Sequence, residues 1–267
     1  MYIIDFDNSS SEEIMYELFE EDAIHIINYL NQNDGEFYSD FEDNIYLDKL
    51  SKKKVYIKAT HVTTSAEKCS DIKKYGLLNL QQAVTEKCEL SSFLKSNGII
   101  INVRDKKVLV NDHVIDLSPE NNIHEQEWIY HKLYRDYFIN GFINGEDILN
   151  YSVLRCYPEF IDKLDDRIKI DLGEELDLKG LWKRRANPYL VEFYFPIEQL
   201  NCEIYVGFKK YTPELTVNEL ALKRMRWLIK LLFSSFGYGE RKLDRMIYLE
   251  GSYQVPTNLI TNVKLAL

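Results

Sequence analysis

Hydrophobic and polar residues alternate along several short segments of the chain, which predicts β-strands. The first covers residues 55–60, and His61 stands at its end. The clearest covers residues 189–195, and Pro196 closes it. Further strands are predicted at residues 99–103, 107–110, 114–117, 202–208, 246–249, 252–255 and 258–266.

Apolar residues at helical spacing predict longer helices between these strands. They cover residues 79–95, 123–140 and 216–233, and an N-terminal helix follows the serines at 9–11. A short helix follows the first strand, with residues 63–65 as candidate N-caps and Gly76 as the glycine that ends it. Because strands and helices are interspersed without regular alternation, we predict an α+β fold with a mixed, split β-sheet core and helical insertions.

The composition and charge of the chain indicate one large domain with an acidic extension. The chain has 267 residues, of which 45% are hydrophobic, and few are Pro or Gly, so we expect no long disordered linker. The formal net charge of −10 repels nucleic acids and acidic membranes overall, but it leaves room for a local basic groove. We predict an acidic helical extension at 1–50 and one large domain at 51–267.

Cysteine spacing and hydropathy restrict the class of protein further. The four cysteines lie far apart without a Cys-x-x-Cys pair, and His61 has no zinc-like spacing with them, so we expect no metal site. We expect these cysteines to be buried, reduced thiols of a cytoplasmic protein. The N-terminus lacks the features of a signal peptide, and no apolar run approaches the length of a membrane span.

The segment after the first strand resembles a known family. His61-x-Thr63, a short helix, Ile72 and then Gly76 resemble the opening motif of ADP-ribosyltransferases of the H-Y-E type, most of all the DarT-like toxins. In that family the histidine holds the ribose of NAD and the threonine lines the nicotinamide pocket. The resemblance implies a sheet core of the ADP-ribosyltransferase type and NAD as co-substrate. It implies an NAD-binding set of His61, Thr63, Thr64, Gly76 and Leu77.

A second segment resembles the middle motif of the same family, in which an aromatic strand precedes an arginine and a proline-containing turn into a helix. On that match Tyr151 is the aromatic residue and Arg155 the basic residue of the catalytic set. Tyr157, Tyr189 and Tyr194 are alternatives to Tyr151, because the chain contains 19 tyrosines and a tyrosine in a strand is common.

The resemblance also implies a catalytic carboxylate at Glu250. Many ADP-ribosyltransferases carry this glutamate after a helix and a substrate-binding loop, here residues 216–233 and 234–243. Breaking the nicotinamide–ribose bond develops positive charge on the ribose, which a nearby carboxylate stabilises. Tyr248 occupies the position of the usual upstream Glu or Gln, which leaves the acceptor chemistry open. Asp244 is the alternative carboxylate if the strand register differs.

The resemblance implies an NAD-dependent ADP-ribosyltransferase, a bacterial or phage toxin or defence effector, with a nucleic acid or a protein as macromolecular acceptor. Basic clusters at 183–185, 223–226 and 241–245 are candidate phosphate contacts, although we favour solvated helix and loop faces for the first two. The alternatives are a catalytically inactive relative that binds a partner and a plain interaction protein. The acidic, aromatic stretch 34–48 is either a contact for an antitoxin or inhibitor protein or a solvated helical lid.

Overall fold

The structure is a computed structural model that describes residues 2–19, 24, 28, 52–118, 127–143, 148–150, 155–202, 205–206, 209–210, 216–234 and 246–266. The strands are β1 Tyr2–Ile4, β2 Val55–Ser65, β3 Ile99–Asn102, β4 Lys107–Val110, β5 His113–Asp116, β6 Asn140–Phe142, β7 Asn187–Pro196, β8 Tyr205–Val206, β9 Lys209–Lys210, β10 Met246–Tyr248 and β11 Ile260–Leu265. The α-helices are α1 Ser11–Phe19, α2 Ser70–Tyr75, α3 Leu80–Thr85, α4 Glu89–Ser96, α5 Glu127–Tyr134, α6 Glu159–Leu172, α7 Leu178–Lys183 and α8 Val217–Ser234.

The strands form a mixed sheet and two smaller antiparallel sheets. In the mixed sheet the hydrogen-bonded order is β10-β6-β2-β7-β11, and β1 pairs in parallel with β2. β6 pairs antiparallel with β2, as β11 does with β7. β3, β4 and β5 form a meander, and β8 and β9 form a hairpin. This arrangement of sheets and interspersed helices confirms the predicted α+β class with a mixed sheet.

Contacts within the chain divide it into two units. The first contains Met1–Thr60, Gly141–Gly145 and Tyr194–Tyr248. Within it, α1 packs against β1 and α8. The predicted boundary between residues 50 and 51 stays a prediction, because the chain around it lies outside the described residues.

Two cations of the predicted basic cluster at 223–226 hold α8 in place within the first unit. The Arg224 side chain is buried, and its Nε donates a hydrogen bond of 2.8 Å to the Leu200 carbonyl oxygen. Lys223 Nζ donates one of 2.8 Å to the Cys202 carbonyl oxygen. The interpretation of this cluster as a solvated face is therefore wrong at Arg224, whose charged group satisfies a carbonyl instead.

The second unit contains His61–Asn140, Glu146–Phe193 and Leu249–Leu267 and has its own hydrophobic core. That core combines the inward side chains of the β3–β5 meander with apolar residues of α4 to α7. Trp182 of α7 is fully buried, and its ring meets Phe93 of α4 edge-on with centroids 4.9 Å apart. The predicted hairpin turn at 111–112 is confirmed, and Asn111 adopts a left-handed φ of 50° there.

Local chemistry explains where the predicted elements shift. β2 continues to Ser65, because the β-branched residues before it fit a strand, so residues 63–65 do not cap a helix as predicted. α2 begins only at Ser70, after two left-handed residues at 68–69. The expected helix end at Gly76 is confirmed, and its N–H donates to the Ile72 carbonyl oxygen at 2.9 Å.

Other predicted elements were too long. The helix at 79–95 is interrupted by extended backbone at Glu86 and Cys88, so it forms α3 and α4. Of the predicted helix at 123–140, α5 covers Glu127–Tyr134, residues 135–139 are turns and irregular backbone, and residues 123–126 lie outside the described residues. The expected strand at 252–255 is a turn that ends in an isolated bridge between Val255 and Leu77. These predicted elements are therefore shorter in the structure, whereas β2 is longer than predicted and β1, β6 and α7 were not predicted.

The expectation that the cysteines are buried thiols is confirmed at Cys69 and Cys88 and is wrong at Cys156 and Cys202. All four cysteines are free thiols, with Cys69 and Cys88 buried and Cys156 and Cys202 half-buried. No helix in the described parts of the chain is long and apolar enough to cross a membrane.

Candidate functional site

A cavity of about 260 Å³ lies within the second unit. Its volume is just below the range of about 300–1,000 Å³ that is typical of small-molecule sites. The residues that the sequence predicted to bind NAD all line it: His61, Thr63, Thr64, Gly76 and Leu77. The structure therefore brings the whole predicted binding set to one concave surface.

The distal half of β2 forms one wall of this cavity. Successive side chains of a strand point to opposite faces, so His61 and Thr63 share one face, while Val62 and Thr64 occupy the other. His61 and Thr63 are half-buried, whereas the two residues on the other face are buried. The His-x-Thr spacing is thus the spacing that places both polar side chains on the same side of an extended chain.

The ring of His61 is held in one orientation and one tautomer. Its Nδ1 lies 2.8 Å from the carbonyl oxygen of Asn140 and 3.2 Å from the Oδ1 of the same residue. Both partners are acceptors, so Nδ1 carries the proton and donates, and Nε2 of the neutral ring is an acceptor. Burial lowers the pKa of His61, while the hydrogen bonds to Asn140 oppose that shift. The neutral imidazole is therefore favoured in the folded chain.

Thr64 supports the wall by a different contact. Its Oγ1 accepts a hydrogen bond of 2.8 Å from Nε1 of the buried Trp182, which also lines the cavity. Tyr157, which the sequence had offered as an alternative to Tyr151, lines the cavity as well and is 6% exposed. Trp182 was not predicted as a site residue, because its contact with Thr64 joins distant parts of the chain and leaves no local signal in the sequence.

Gly76 and Leu77 form the wall at the end of α2. Leu77 and Val255 exchange two backbone hydrogen bonds, of 3.0 and 3.1 Å. Gly76 has a φ of 87°, and a Cβ at this position would lie 2.0 Å from the Val255 carbonyl oxygen. Only glycine fits both the left-handed backbone and this close approach.

Charged residues that the sequence did not group together also line the cavity. They are four carboxylates and one ammonium: Asp71, Glu89, Asp136, Glu159 and Lys132. Their side chains come from the starts of α2, α4 and α6 and from the region of α5, so no local spacing in the sequence indicated them. The lining therefore carries an excess of negative charge.

The lining charges are fixed by contacts of their own. Glu89 accepts hydrogen bonds of 2.6 Å from the Ser65 hydroxyl and from the Ala66 N–H, which fastens α4 to the end of β2. Lys132 Nζ lies 2.8 Å from Glu159 and also pairs with Asp136. Burial opposes the charge of Lys132, but these two carboxylates raise its pKa overall.

The predicted catalytic residues are placed differently. Tyr151 and the alternative carboxylate Asp244 lie outside the described residues. Arg155 is exposed and is not part of the cavity lining. Glu250 is half-buried and is likewise not among the lining residues.

The chain on either side of Glu250 is nevertheless fastened beside the cavity. The Leu249 N–H donates to the carbonyl oxygen of the lining residue Ile139 at 2.8 Å. Asn79 Nδ2 donates to the Gly251 carbonyl oxygen at 2.6 Å. The structure thus brings the backbone of this segment to the wall, and a catalytic role for the Glu250 carboxylate stays a prediction.

The cavity combines an oriented imidazole acceptor, a hydroxyl, aromatic walls and an excess of carboxylates. Such a lining suits a ligand with a cationic aromatic ring and sugar hydroxyl groups. No protein-family model, curated protein or solved structure matches this chain.

Proposed function

We propose that this chain is an NAD-dependent ADP-ribosyltransferase that modifies a macromolecular acceptor, a nucleic acid or a protein, as a bacterial or phage toxin or defence effector. Such a toxin acts in the cytoplasm, with an antitoxin or inhibitor protein as partner. One observation carries the proposal: His61, Thr63, Gly76 and Leu77 line the same cavity, although they come from a strand and from beyond the next helix.

The lining fits the nicotinamide–ribose end of NAD. The oxidised nicotinamide ring is cationic, and the excess of lining carboxylates favours such a charge. Nε2 of His61 is the acceptor that a ribose hydroxyl requires, because Nδ1 is occupied by Asn140. Tyr157 and Trp182 supply aromatic surface for the ring. The volume of the cavity suits this end of the dinucleotide better than the whole molecule.

Each predicted site residue has a distinct part in the proposed activity. His61 and Thr63 hold and orient the ribose and the nicotinamide, and Gly76 and Leu77 close the wall beside them. NAD, when bound, supplies a glycosidic bond whose cleavage leaves positive charge on the ribose. Glu250 is the carboxylate proposed to stabilise that charge and to accept a proton from the acceptor, with Tyr151 and Arg155 completing the catalytic set.

Labelled NAD tests the proposal directly. The purified chain is incubated with NAD labelled on the adenylate and with cell lysate, and the products are then treated with nuclease or with protease. We expect label in a macromolecule, and we expect either the nuclease or the protease to release that label. We also expect His61→Ala to abolish labelling while the thermal unfolding temperature stays near that of the wild type. An absence of both NAD binding and labelling in the wild type would rule the enzyme out.

A second candidate function is a catalytically inactive relative that binds a nucleotide or a partner. It is favoured by two observations at one segment: the Glu250 carboxylate is not part of the cavity lining, and Tyr248 stands where Glu or Gln is usual. Nicotinamide release separates the two functions, because the inactive relative binds NAD in calorimetry but releases no nicotinamide with any lysate.

A further inference from the structure

Two exposed cations contact the wall of the cavity from α7 and the residues just after it. Lys183 Nζ lies 4.6 Å from the ring centroid of Tyr157. The Arg185 guanidinium carbon lies 5.9 Å from the ring centroid of Trp182, and its Nη2 lies 4.0 Å from Glu89 Oε1. All three of the contacted residues line the cavity. These two cations are therefore at the cavity wall without belonging to its lining.

The neighbouring cations are paired with carboxylates, although Lys179 Nζ also lies 5.8 Å from the ring centroid of Tyr157. Arg184 pairs with Asp177 at 3.4 Å, at the start of α7, and both side chains are largely exposed. Lys179 Nζ pairs with Asp162 at 2.5 Å. Lys183 and Arg185 are thus distinguished within the basic run by their contacts with Tyr157, Trp182 and Glu89.

The interior and the neighbourhood of the cavity therefore differ in the sign of their charge. Inside, four carboxylates outnumber one ammonium, so a phosphate group placed there meets repulsion at short range. At the wall, Lys183 and Arg185 present an ammonium and a guanidinium, the groups that proteins use to bind phosphate. A ligand that matches this pattern has a cationic end that enters and an anionic part that stays outside.

We infer that Lys183 and Arg185 bind the diphosphate of NAD, which leaves the nicotinamide–ribose end inside the cavity. This inference rests on the proposed function, and it adds the orientation of the dinucleotide and the residues that fix it. Oxidised NAD has the matching charge distribution, because its cationic ring and its diphosphate lie on opposite sides of one ribose. The adenosine end then lies beyond these cations, away from the carboxylates.

The test compares two ligands and three variants by calorimetry at low ionic strength. The ligands are NAD and nicotinamide riboside, which lacks phosphate. The variants are Lys183→Gln, Arg185→Gln and the matched control Arg184→Gln, which removes the same charge one residue away. We expect the first two to weaken NAD binding by about tenfold or more each, as the loss of a charged hydrogen bond does. The affinity of these two variants for nicotinamide riboside should stay at the wild-type level. The affinity of Arg184→Gln for NAD should also stay at the wild-type level.

Each alternative result has a separate meaning. Unchanged NAD affinity in Lys183→Gln and Arg185→Gln would overturn the inference, as would an equal loss in Arg184→Gln, which would show an effect of net charge alone. Retained NAD affinity with lost binding of a single-stranded oligonucleotide would also overturn it and assign the cations to the acceptor. If the wild type binds neither nicotinamide riboside nor NAD, the proposed function itself is wrong.

Discussion

The indole nitrogen of Trp182 donates a hydrogen bond of 2.8 Å to the hydroxyl of Thr64. This contact gives two adjacent threonines different tasks, because Thr63 faces the other way along β2. Both line the cavity, yet only the Thr64 hydroxyl serves a buried donor. A threonine pair that looks uniform in the sequence is therefore divided between support and binding.

Valine substitutions at these two positions should affect different properties, stability at Thr64 and NAD binding at Thr63. Thr64→Val leaves the buried Trp182 N–H without its acceptor and should lower the free energy of unfolding by about 1–3 kcal/mol. Thr63→Val keeps a β-branched side chain in the strand, so it should leave stability unchanged and weaken NAD binding. Urea denaturation and NAD titration of both variants measure the two effects. A Thr63→Val variant that is less stable than Thr64→Val would contradict the assignment.

The protonation of His61 should lower first the stability and then the NAD affinity as the pH falls. Burial lowers its pKa in the folded chain below the ordinary value of 6.5, so the unfolded chain takes up the proton first as the pH falls. The free energy of unfolding should therefore be fully maintained above about pH 6.5 and decrease below it, until the folded ring is protonated too.

The control for this pH dependence is His61→Gln. Glutamine keeps an acceptor but does not titrate, so the difference between wild type and variant isolates the contribution of His61. NAD affinity of the wild type should drop at lower pH, where the folded ring itself takes up the proton, because the protonated ring offers no acceptor at Nε2. An NAD affinity that declines with pH equally in both proteins would assign the titration to another group.

Alanine at Gly76 should damage both the fold and the cavity. Its Cβ would meet the Val255 carbonyl oxygen at 2.0 Å, in addition to the strain of the left-handed backbone. Gly173 is the matched control, since it also has a positive φ, of 72°, but nothing lies within 4 Å of a Cβ there. We expect Gly173→Ala to cost about 1–2 kcal/mol of stability and Gly76→Ala about 3 kcal/mol or more. Equal losses in thermal unfolding would show that the Val255 contact relaxes.

The isosteric change Glu250→Gln should remove transfer and keep NAD bound. It deletes the charge proposed to stabilise the cationic ribose, a loss that typically lowers the rate about 10²–10³-fold. Nicotinamide release and acceptor labelling measure the rate, and calorimetry measures NAD binding. Asp244→Asn is the control, since that residue is the competing carboxylate. A fully active Glu250→Gln beside an inactive Asp244→Asn would transfer the catalytic role to Asp244.

The sequence predicted well which residues share one wall of the cavity, because its signals are local. The His-x-Thr spacing within one strand and the glycine after one helix each depend on a few consecutive residues, and the structure places both at the cavity. β2 was predicted too short because residues 63–65 suit either an N-cap or a strand, and strand pairing decides between them.

The acidic lining could not be predicted, because it arises from long-range packing. Glu89 reaches the end of β2 from α4, and Glu159 meets Lys132 from a different helix. Neither pair has a spacing that marks it in the chain. The same holds for Trp182, whose role follows from a hydrogen bond to a residue more than a hundred positions earlier.

β2 also determines which length changes the chain can tolerate. Its side chains alternate between faces, so deleting one residue between Val55 and Thr60 turns every later residue of the strand over. His61 and Thr63 would then take the face that Val62 and Thr64 now occupy, so the imidazole and the two hydroxyl groups would lose their present positions in the cavity wall. An added residue at the turn 111–112 inverts nothing in β2. The cavity wall formed by β2 therefore depends on the number of residues between Val55 and Thr60. A frame-preserving deletion of one codon in this stretch should be as damaging as the loss of His61 itself.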